Sequence, residues 1–571
     1  MNKIFRRFEN QPRQIVKMFL GLTSIAGIIL LVVFLYPPSE VKEQFLFGLS
    51  RTRFAIGILF LFLLFVNIGA FILSAVEGRV WLGRIENEIT ALVFEKIVLM
   101  LIMFYIMAFL TGMLLLLTIP PIPFSLGFLE SIRVRLISPI VWLFLVSSLS
   151  IILLRTLYAE KIYEKSVLSF LDKILTTACI ILFTFVLYER IAIWIGWINK
   201  TRYSYWNLLA EEFLKGNLYL SNPPYTHDLT LYNGKWYVPN PPLPAILMMP
   251  IAYLVGGNNI NTADLSMFLS AVNSALIFLI LDQLARRQWI KLSQGSIFWL
   301  VVLFAFGTPH LWVGLSGRMW FVSQILTVTL LAFATLAALK SWSPWVVGIC
   351  IGLAVATRPN GLLSWPFVFA IAMQITSEKQ GNLDFKQMLA WSIKSALPIG
   401  VAIAGLLLYN YLRFDNLLDF GYVTINGDPD IVQNAQTYGL FSAHYIVYNL
   451  RVMFLYLPEL YWGTQWPILP SGAGMSMFLA TPPLIYLFHR YEFKWWILGA
   501  WIAVLLNFVL LILYHNTGKD QFGYRYILDA IVPLIAMLAV GFGKKVPWHF
   551  ILLLILSIVI NLYGANWFMN G

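Results

Sequence analysis

Residues 227–250 read HDLTLYNGKWYVPNPPLPAILMMP, a polar, aromatic, proline-rich insert in a chain otherwise built from apolar runs. His227 and Asp228 open it, Tyr232, Lys235, Trp236 and Tyr237 follow, and it runs into an apolar segment ending near residue 256. Whether that last segment crosses a bilayer decides the topology of everything after it. A span needs about 20 apolar residues; the run 241–256 is shorter and carries Pro241, Pro242, Pro244 and Pro250. Proline removes a backbone donor and kinks a helix, so the reading is an interfacial or re-entrant helix. An ionisable cluster meeting a membrane surface in this way is a candidate functional site.

The rest of the chain supports a membrane setting. Of 571 residues, 60% are hydrophobic and 12% charged, with mean hydropathy +0.78, whereas soluble domains carry about 25% charged residues. Backbone groups in lipid must be satisfied within their own segment, so spans are helices. Apolar runs suggest about fifteen of them, near 17–36, 53–76, 93–117, 138–155, 171–196, 262–285, 294–312, 319–340, 343–356, 361–376, 390–411, 475–488, 495–514, 526–543 and 548–566. Cys179 and Cys350 both lie in apolar runs and offer neither a disulfide framework nor a metal site. The net charge of +12 comes without a soluble basic stripe, which points to anionic headgroups and membrane topology and away from nucleic acid.

Short basic loops tend to stay cytoplasmic. The N-terminal Lys3, Arg6, Arg7, Arg13 and Lys17 and the loops with Arg79/Arg84, Arg155/Lys161/Lys165, Arg286/Arg287/Lys291, Lys379/Lys386, Arg490/Lys494 and Lys544/Lys545 fall on one side only if 241–256 does not cross. The expected consequence is that the long loops 197–261 and 413–474, and the segments around Arg318, Arg358 and 520–525, face the extracytoplasmic side. Tyr203 to Leu220 is amphipathic, with Tyr205, Leu208, Leu209 and Phe213 apart from Glu211, Glu212 and Lys215, and is expected to lie along the interface.

Six stretches in order carry a family resemblance: SYWNLLAEEFLKGNLYL (204–220) leading into the 227–250 insert, GTPHLW with GRMWF (307–321), GLAVATRPNG (352–361), NYLRFDNLLDFGY (410–422), YGLFSAHYIVYNL (438–450) and FGYRYILDAIVPL (522–534). Together they resemble the bacterial polytopic glycosyltransferases of the GT-C superfamily. The resemblance covers 171–571; residues 1–170, with four expected spans, lie outside it. It implies an all-α, GT-C-like helical bundle with interfacial helices in its outer loops. It further implies a polyprenyl-phosphate-linked sugar as donor, and an aspartate in the first outer loop as general base for an inverting transfer. Relatives resembling aminoarabinose and protein mannosyltransferases open that loop with an acidic pair. This chain has INKTRY (198–203), with Asn199 and Lys200 where the acids would stand.

Asp228 is then the candidate base, since an amide cannot accept the proton and a base must be ionised within reach of it. His227 is placed beside it to orient it or bind substrate. Arg525, flanked by Tyr524 and Tyr526, has the planar fork that suits a phosphate, and stabilising a departing phosphate is where charge develops. Arg318 and Arg358 follow the same logic. Asp520 and Asp529 bracket Arg525 and are expected to hold it by ion pairing. Lys235 and Tyr237 complete the candidate substrate-binding set, although Lys235 beside Asn233-Gly234 reads first as a solvated charge at a turn tip. Trp236, Tyr237, Trp320 and Trp466 read mostly as interfacial anchors. Asp428-Pro429-Asp430 resembles an acid pair without further ligands, so no metal and no other cofactor is assigned.

The expected protein is therefore an inner-membrane transferase with its N-terminus in the cytoplasm. Its partners are a polyprenyl-phosphate sugar, a lipid or cell-envelope glycan acceptor, and membrane lipids. The competing readings are a transporter or flippase for a lipid-linked or anionic substrate, and an inert lipid-binding scaffold.

Overall fold

The computed structural model describes residues 166–196, 202–461, 467–470, 472–519 and 521–570, together with Leu61. The four spans expected before residue 166, and with them Asn199, Lys200, Trp466 and Asp520, lie outside the described residues. Two compact units divide the chain, Met1–Val186 and Leu187–Gly571. The second, with the helix Ser166–Trp194 that begins in the first, carries everything discussed below.

It is almost wholly helical. The elements used here are α1 (Ser166–Trp194), α2 (Trp206–Leu214), α3 (Leu243–Val255), α4 (Thr262–Arg286), α5 (Gln294–Phe306), α6 (His310–Leu315), α7 (Met319–Leu339) and α8 (Pro344–Val355). They continue with α9 (Trp365–Gln380), α10 (Phe385–Phe414), α11 (Pro429–Tyr438), α12 (Ile446–Phe454), α13 (Trp495–Leu513), α14 (Ile531–Val540) and α15 (Trp548–Asn570). Among the described residues six helices are long and apolar enough to cross a membrane: Asp172–Trp194 within α1, then α4, α7, α10, α13 and α15. The protein is an all-α membrane protein at this level of description.

Several expected spans are shorter or broken. The run 294–312 splits into α5 and α6 at Gly307-Thr308, and 343–356 gives only the 12-residue α8. The run 361–376 begins as a 3-10 turn over Pro359–Ser364, and 526–543 as one over Arg525–Ala530. Residues 475–488 hold only a four-residue helical turn and a 3-10 turn, with Pro482 and Pro483 between apolar residues. In 294–312, 361–376 and 475–488 hydropathy is high but glycine or proline interrupts the ladder. The run 241–256 becomes α3, 13 residues with Pro250 inside it. At about 1.5 Å per residue it falls well short of a bilayer core of about 30 Å.

Local chemistry sets the helix ends. The Asn261 side chain accepts from Ala263 N–H at 3.1 Å to cap α4, and Asp384 accepts from Lys386 N–H at 2.9 Å to cap α10. Small residues set the packing. A Cβ on Gly348 of α8 would stand 2.2 Å from the Ser395 carbonyl of α10, and one on Gly499 of α13 would stand 2.2 Å from Ala370 Cβ of α9. Such close approach gives membrane helices their van der Waals contact. Buried polar groups pair with one another: His310 lies between the Tyr188 hydroxyl at 3.0 Å and the Asn273 amide at 3.3 Å. The central helix is α7, whose most apolar window is 83% buried. Its first turn therefore lies deep against its neighbours.

Two small antiparallel ribbons depart from the all-α expectation. One, β1 (Thr230–Tyr232) with β2 (Lys235–Tyr237), lies in the 227–250 insert. The turn between them is Asn233-Gly234, both at positive φ (47° and 72°), the backbone that a two-residue hairpin requires. The other pairs Glu459–Leu460 with Ile468–Leu469.

Candidate functional site: a carboxylate and arginines around one cavity

The insert is sewn to two other parts of the chain. Asp228 N–H donates to the Asn426 carbonyl at 2.7 Å, and Asn426 N–H donates to the Leu229 carbonyl at 2.8 Å. The Thr230 hydroxyl donates to the Gly421 carbonyl at 2.6 Å. The 227–230 segment thus makes a short backbone ladder with 421–426, from the distant second loop. On its other side, Tyr205 OH donates to the His227 carbonyl at 2.7 Å, Trp206 Nε1 to the Met319 carbonyl at 2.9 Å, and Met319 N–H to the Tyr203 carbonyl at 3.0 Å. These bonds bring the start of α7, and Trp320 with it, against His227.

Asp228 has φ +59°, in the left-handed region that costs a non-glycine residue strain. Its carboxylate lies 3.8 Å from His227 Nε2, and Trp320 lines the same cavity, where its indole N–H favours the ionised carboxylate. Burial pushes its pKa above the ordinary aspartate value. The charges of His227 and Arg525 and the Trp320 hydrogen bond pull it down, and the Asp428 charge pushes it up. Trp320 is therefore more than the interfacial anchor its position suggested.

Asp228 and Arg525 line the same cavity, of about 520 Å³. His227, Arg318, Arg358, Tyr526, Trp320, Asp428 and Lys519 also line it. Arg525 is held by its backbone: its N–H donates to Gln521 Oε1 at 3.1 Å and its carbonyl accepts from Gln324 Nε2 at 3.0 Å. Its guanidinium lies between the rings of Phe321 and Tyr526, 5.0 and 4.8 Å from their centroids. The side chain is 6% exposed, and among the described residues Nε and Nη1 have no hydrogen-bond partner. A buried cation without a partner is costly, and such a group in a folded protein calls for an explanation.

The expected ion pairs differ from those found. Asp529 does not hold Arg525. It receives Arg358 Nη2 at 3.0 Å, Asn360 Nδ2 at 2.8 Å and Gln324 Nε2 at 3.3 Å. Arg358 is thereby charge-compensated, and Arg525 is left to face the cavity. Asp428 makes an ion pair with Lys519 and caps α11 by accepting from Asp430 N–H at 3.1 Å; Lys519 holds its carboxyl below the usual range.

Three other candidates lie away from the cavity lining. Tyr524 is 1% exposed and packs edge-on against Tyr526 at 5.9 Å. Tyr237 is buried against Phe414 and Tyr219. Lys235 sits on the exposed hairpin with Nζ 4.4 Å from the Tyr219 ring. All three answer to packing or solvation. Glu212, expected to face water, is 9% exposed and accepts from Asn217 Nδ2 and Ser221 Oγ at 2.8 and 2.9 Å. Among the described residues no three His, Cys, Asp or Glu side chains gather as a metal site.

No family model, curated protein or solved structure matches this chain. The site must be read from its own chemistry.

Proposed function

We propose that this protein is a GT-C-type membrane glycosyltransferase that moves a sugar from a polyprenyl-phosphate-linked donor to a hydroxyl of a lipid or cell-envelope glycan. The work takes place on the extracytoplasmic face of a bacterial inner membrane. One observation supports the reading: the carboxylate of Asp228, on a backbone of positive φ, and a buried guanidinium with two nitrogens that have no hydrogen-bond partner among the described residues line a single cavity. These are the two groups that such a transfer needs.

In the proposed step Asp228 accepts the proton of the acceptor hydroxyl as its oxygen attacks the anomeric carbon. The bond from that carbon to the phosphate oxygen breaks on the opposite side, inverting configuration and releasing polyprenyl phosphate. Arg525, with Arg318, stabilises the charge that builds on the leaving phosphate. His227 and Trp320 orient the carboxylate. Leu510 and Leu511, at the end of α13, give the cavity an apolar flank beside which a prenyl chain could lie.

The test is transfer from polyprenyl-phosphate sugars in proteoliposomes. Asp228→Asn keeps the shape but cannot take a proton, and is expected to lower kcat by about 10²- to 10⁴-fold. Full activity in that variant would remove Asp228 as the base.

A further inference from the structure

One wall of the cavity beside Asp228 is aromatic, and it continues beyond the cavity. Tyr203, His227 and Trp320 line the cavity with Asp228. The Tyr203 ring lies 5.2 Å from His227, 5.9 Å from Trp320 and 5.6 Å from Tyr225. Tyr225 is not part of the lining; it is 44% exposed, and the His227 side chain is 45% exposed. The rings thus run from the carboxylate outward to the surface. Arg525, by contrast, is buried.

The rings are held in place. Tyr203 is tied through its carbonyl to Met319, next to Trp320, and has φ +61°. Pro223 and Pro224 precede Tyr225 and restrict the chain there. The neighbouring Thr226 is bonded through its hydroxyl and its carbonyl to the Asn426 side chain, at 3.0 and 3.1 Å.

Aromatic faces carry negative charge density, and the axial C–H groups of a sugar ring carry the complementary partial positive charge. Rings with two side-chain torsions offer that area at low entropic cost. A wall meant for a lipid acceptor's chains would need aliphatic surface. Aliphatic lining comes from Ile425, which with Val432 lies on the Gly427 side of Asp228, and from Ile431, Leu440, Leu510 and Leu511; the side of Asp228 toward Tyr203, His227 and Trp320 carries rings instead.

We infer that the acceptor is a saccharide of at least two rings, one lying on Tyr203 and Trp320 beside Asp228 and the next on Tyr225 at the surface. This rests on the transferase reading above and narrows its acceptor to a glycan.

The inference is tested by saturation-transfer NMR on the full chain in nanodiscs, with free mannose, mannobiose and mannotetraose and their gluco and galacto counterparts. The wild-type protein should bind the tetrasaccharide of one series more tightly than its monosaccharide, by on the order of fivefold. Tyr225→Ala should erase that preference, while Tyr253→Ala, which removes a still more exposed aromatic on α3, should keep it. Failure of every saccharide to bind overturns the inference. So does binding without length preference, which would place the donor's own sugar on the wall. So does a preference that survives Tyr225→Ala. Transfer assays separate the two readings. If Asp228→Asn abolishes transfer to a lipid hydroxyl and no saccharide binds, the transferase stands and the glycan acceptor falls. If a length preference lost in Tyr225→Ala is found but no polyprenyl-phosphate sugar is turned over, the saccharide wall stands and the transferase falls.

Discussion

Gly427 offers a direct test of how Asp228 is held. A Cβ at this position would stand 2.8 Å from Asp228 Oδ1, against about 3.4 Å for ordinary contact. Its other neighbours, Ile425 and Val432, would lie at 3.5 and 3.7 Å, which is unstrained. Gly427 has no positive φ, so alanine fits the backbone. Gly427→Ala therefore keeps the fold and pushes on one atom, the base oxygen, by roughly 0.6 Å. The Asp228 backbone cannot follow, because the hydrogen bonds to and from Asn426 fix it on both sides. The carboxylate must rotate instead, which changes its placement against His227. Misplacing a reacting group by about 1 Å costs on the order of 10²-fold, so kcat should fall by about 10- to 100-fold. The assay is sugar transfer in proteoliposomes, with thermal unfolding of the purified protein as control. Wild-type kcat with an unchanged Tm would refute the placement of Asp228 as base, because the one group displaced would then not matter.

The charges around the cavity make three further predictions. Asp228 acts only when ionised, and burial raises its pKa, so the acid limb of the pH–rate profile should lie above the ordinary aspartate range of about 3.9. Asp428→Asn removes a charge that raises it, and the limb should move to lower pH; a shift upward, read from kcat/KM against pH, would contradict the assignment. Arg525→Gln should lower kcat by about 10²- to 10³-fold yet cost less stability than Arg358→Ala, because Nε and Nη1 have no hydrogen-bond partner among the described residues and the loss is confined to contacts with the Phe321 and Tyr526 rings. Arg358→Ala should cost about 3–5 kcal/mol in denaturant unfolding because Asp529 is left buried without its cation.

How far the sequence could be read depended on whether the determining chemistry was local. Membrane character and the long helices α4, α7 and α13 follow from apolar length alone, and Pro250 is enough to keep α3 short. The hairpin at Thr230–Tyr237 was also local: TLY and KWY flank Asn-Gly, the strongest short hairpin signal. It was hidden only because the helical reading of the whole chain left no place for strands. The broken runs at 475–488 and 526–543 fail for a related reason, since hydropathy records the medium and not the backbone ladder.

The site divides in the same way. Asp228 and Arg525 stand out in sequence because ionisable residues at a membrane surface are expensive, and expense marks them without saying where they meet. Which cation each acid takes is a matter of tertiary placement. Asp529 is four residues from Arg525, one helical turn, and so the natural guess for its partner. The 3-10 turn and Gln324 instead direct Asp529 to Arg358, from the loop after α8. That exchange is what leaves the Arg525 guanidinium open. The position of Asp228 is likewise not set by the insert: the hydrogen bonds that hold it come from Asn426, about 200 residues away, and the indole that faces it from the first turn of α7. A base fixed by two loops and a helix end should be sensitive to changes in any of them, and Gly427, which contributes no side chain at all, is the place where that sensitivity can be measured most cleanly.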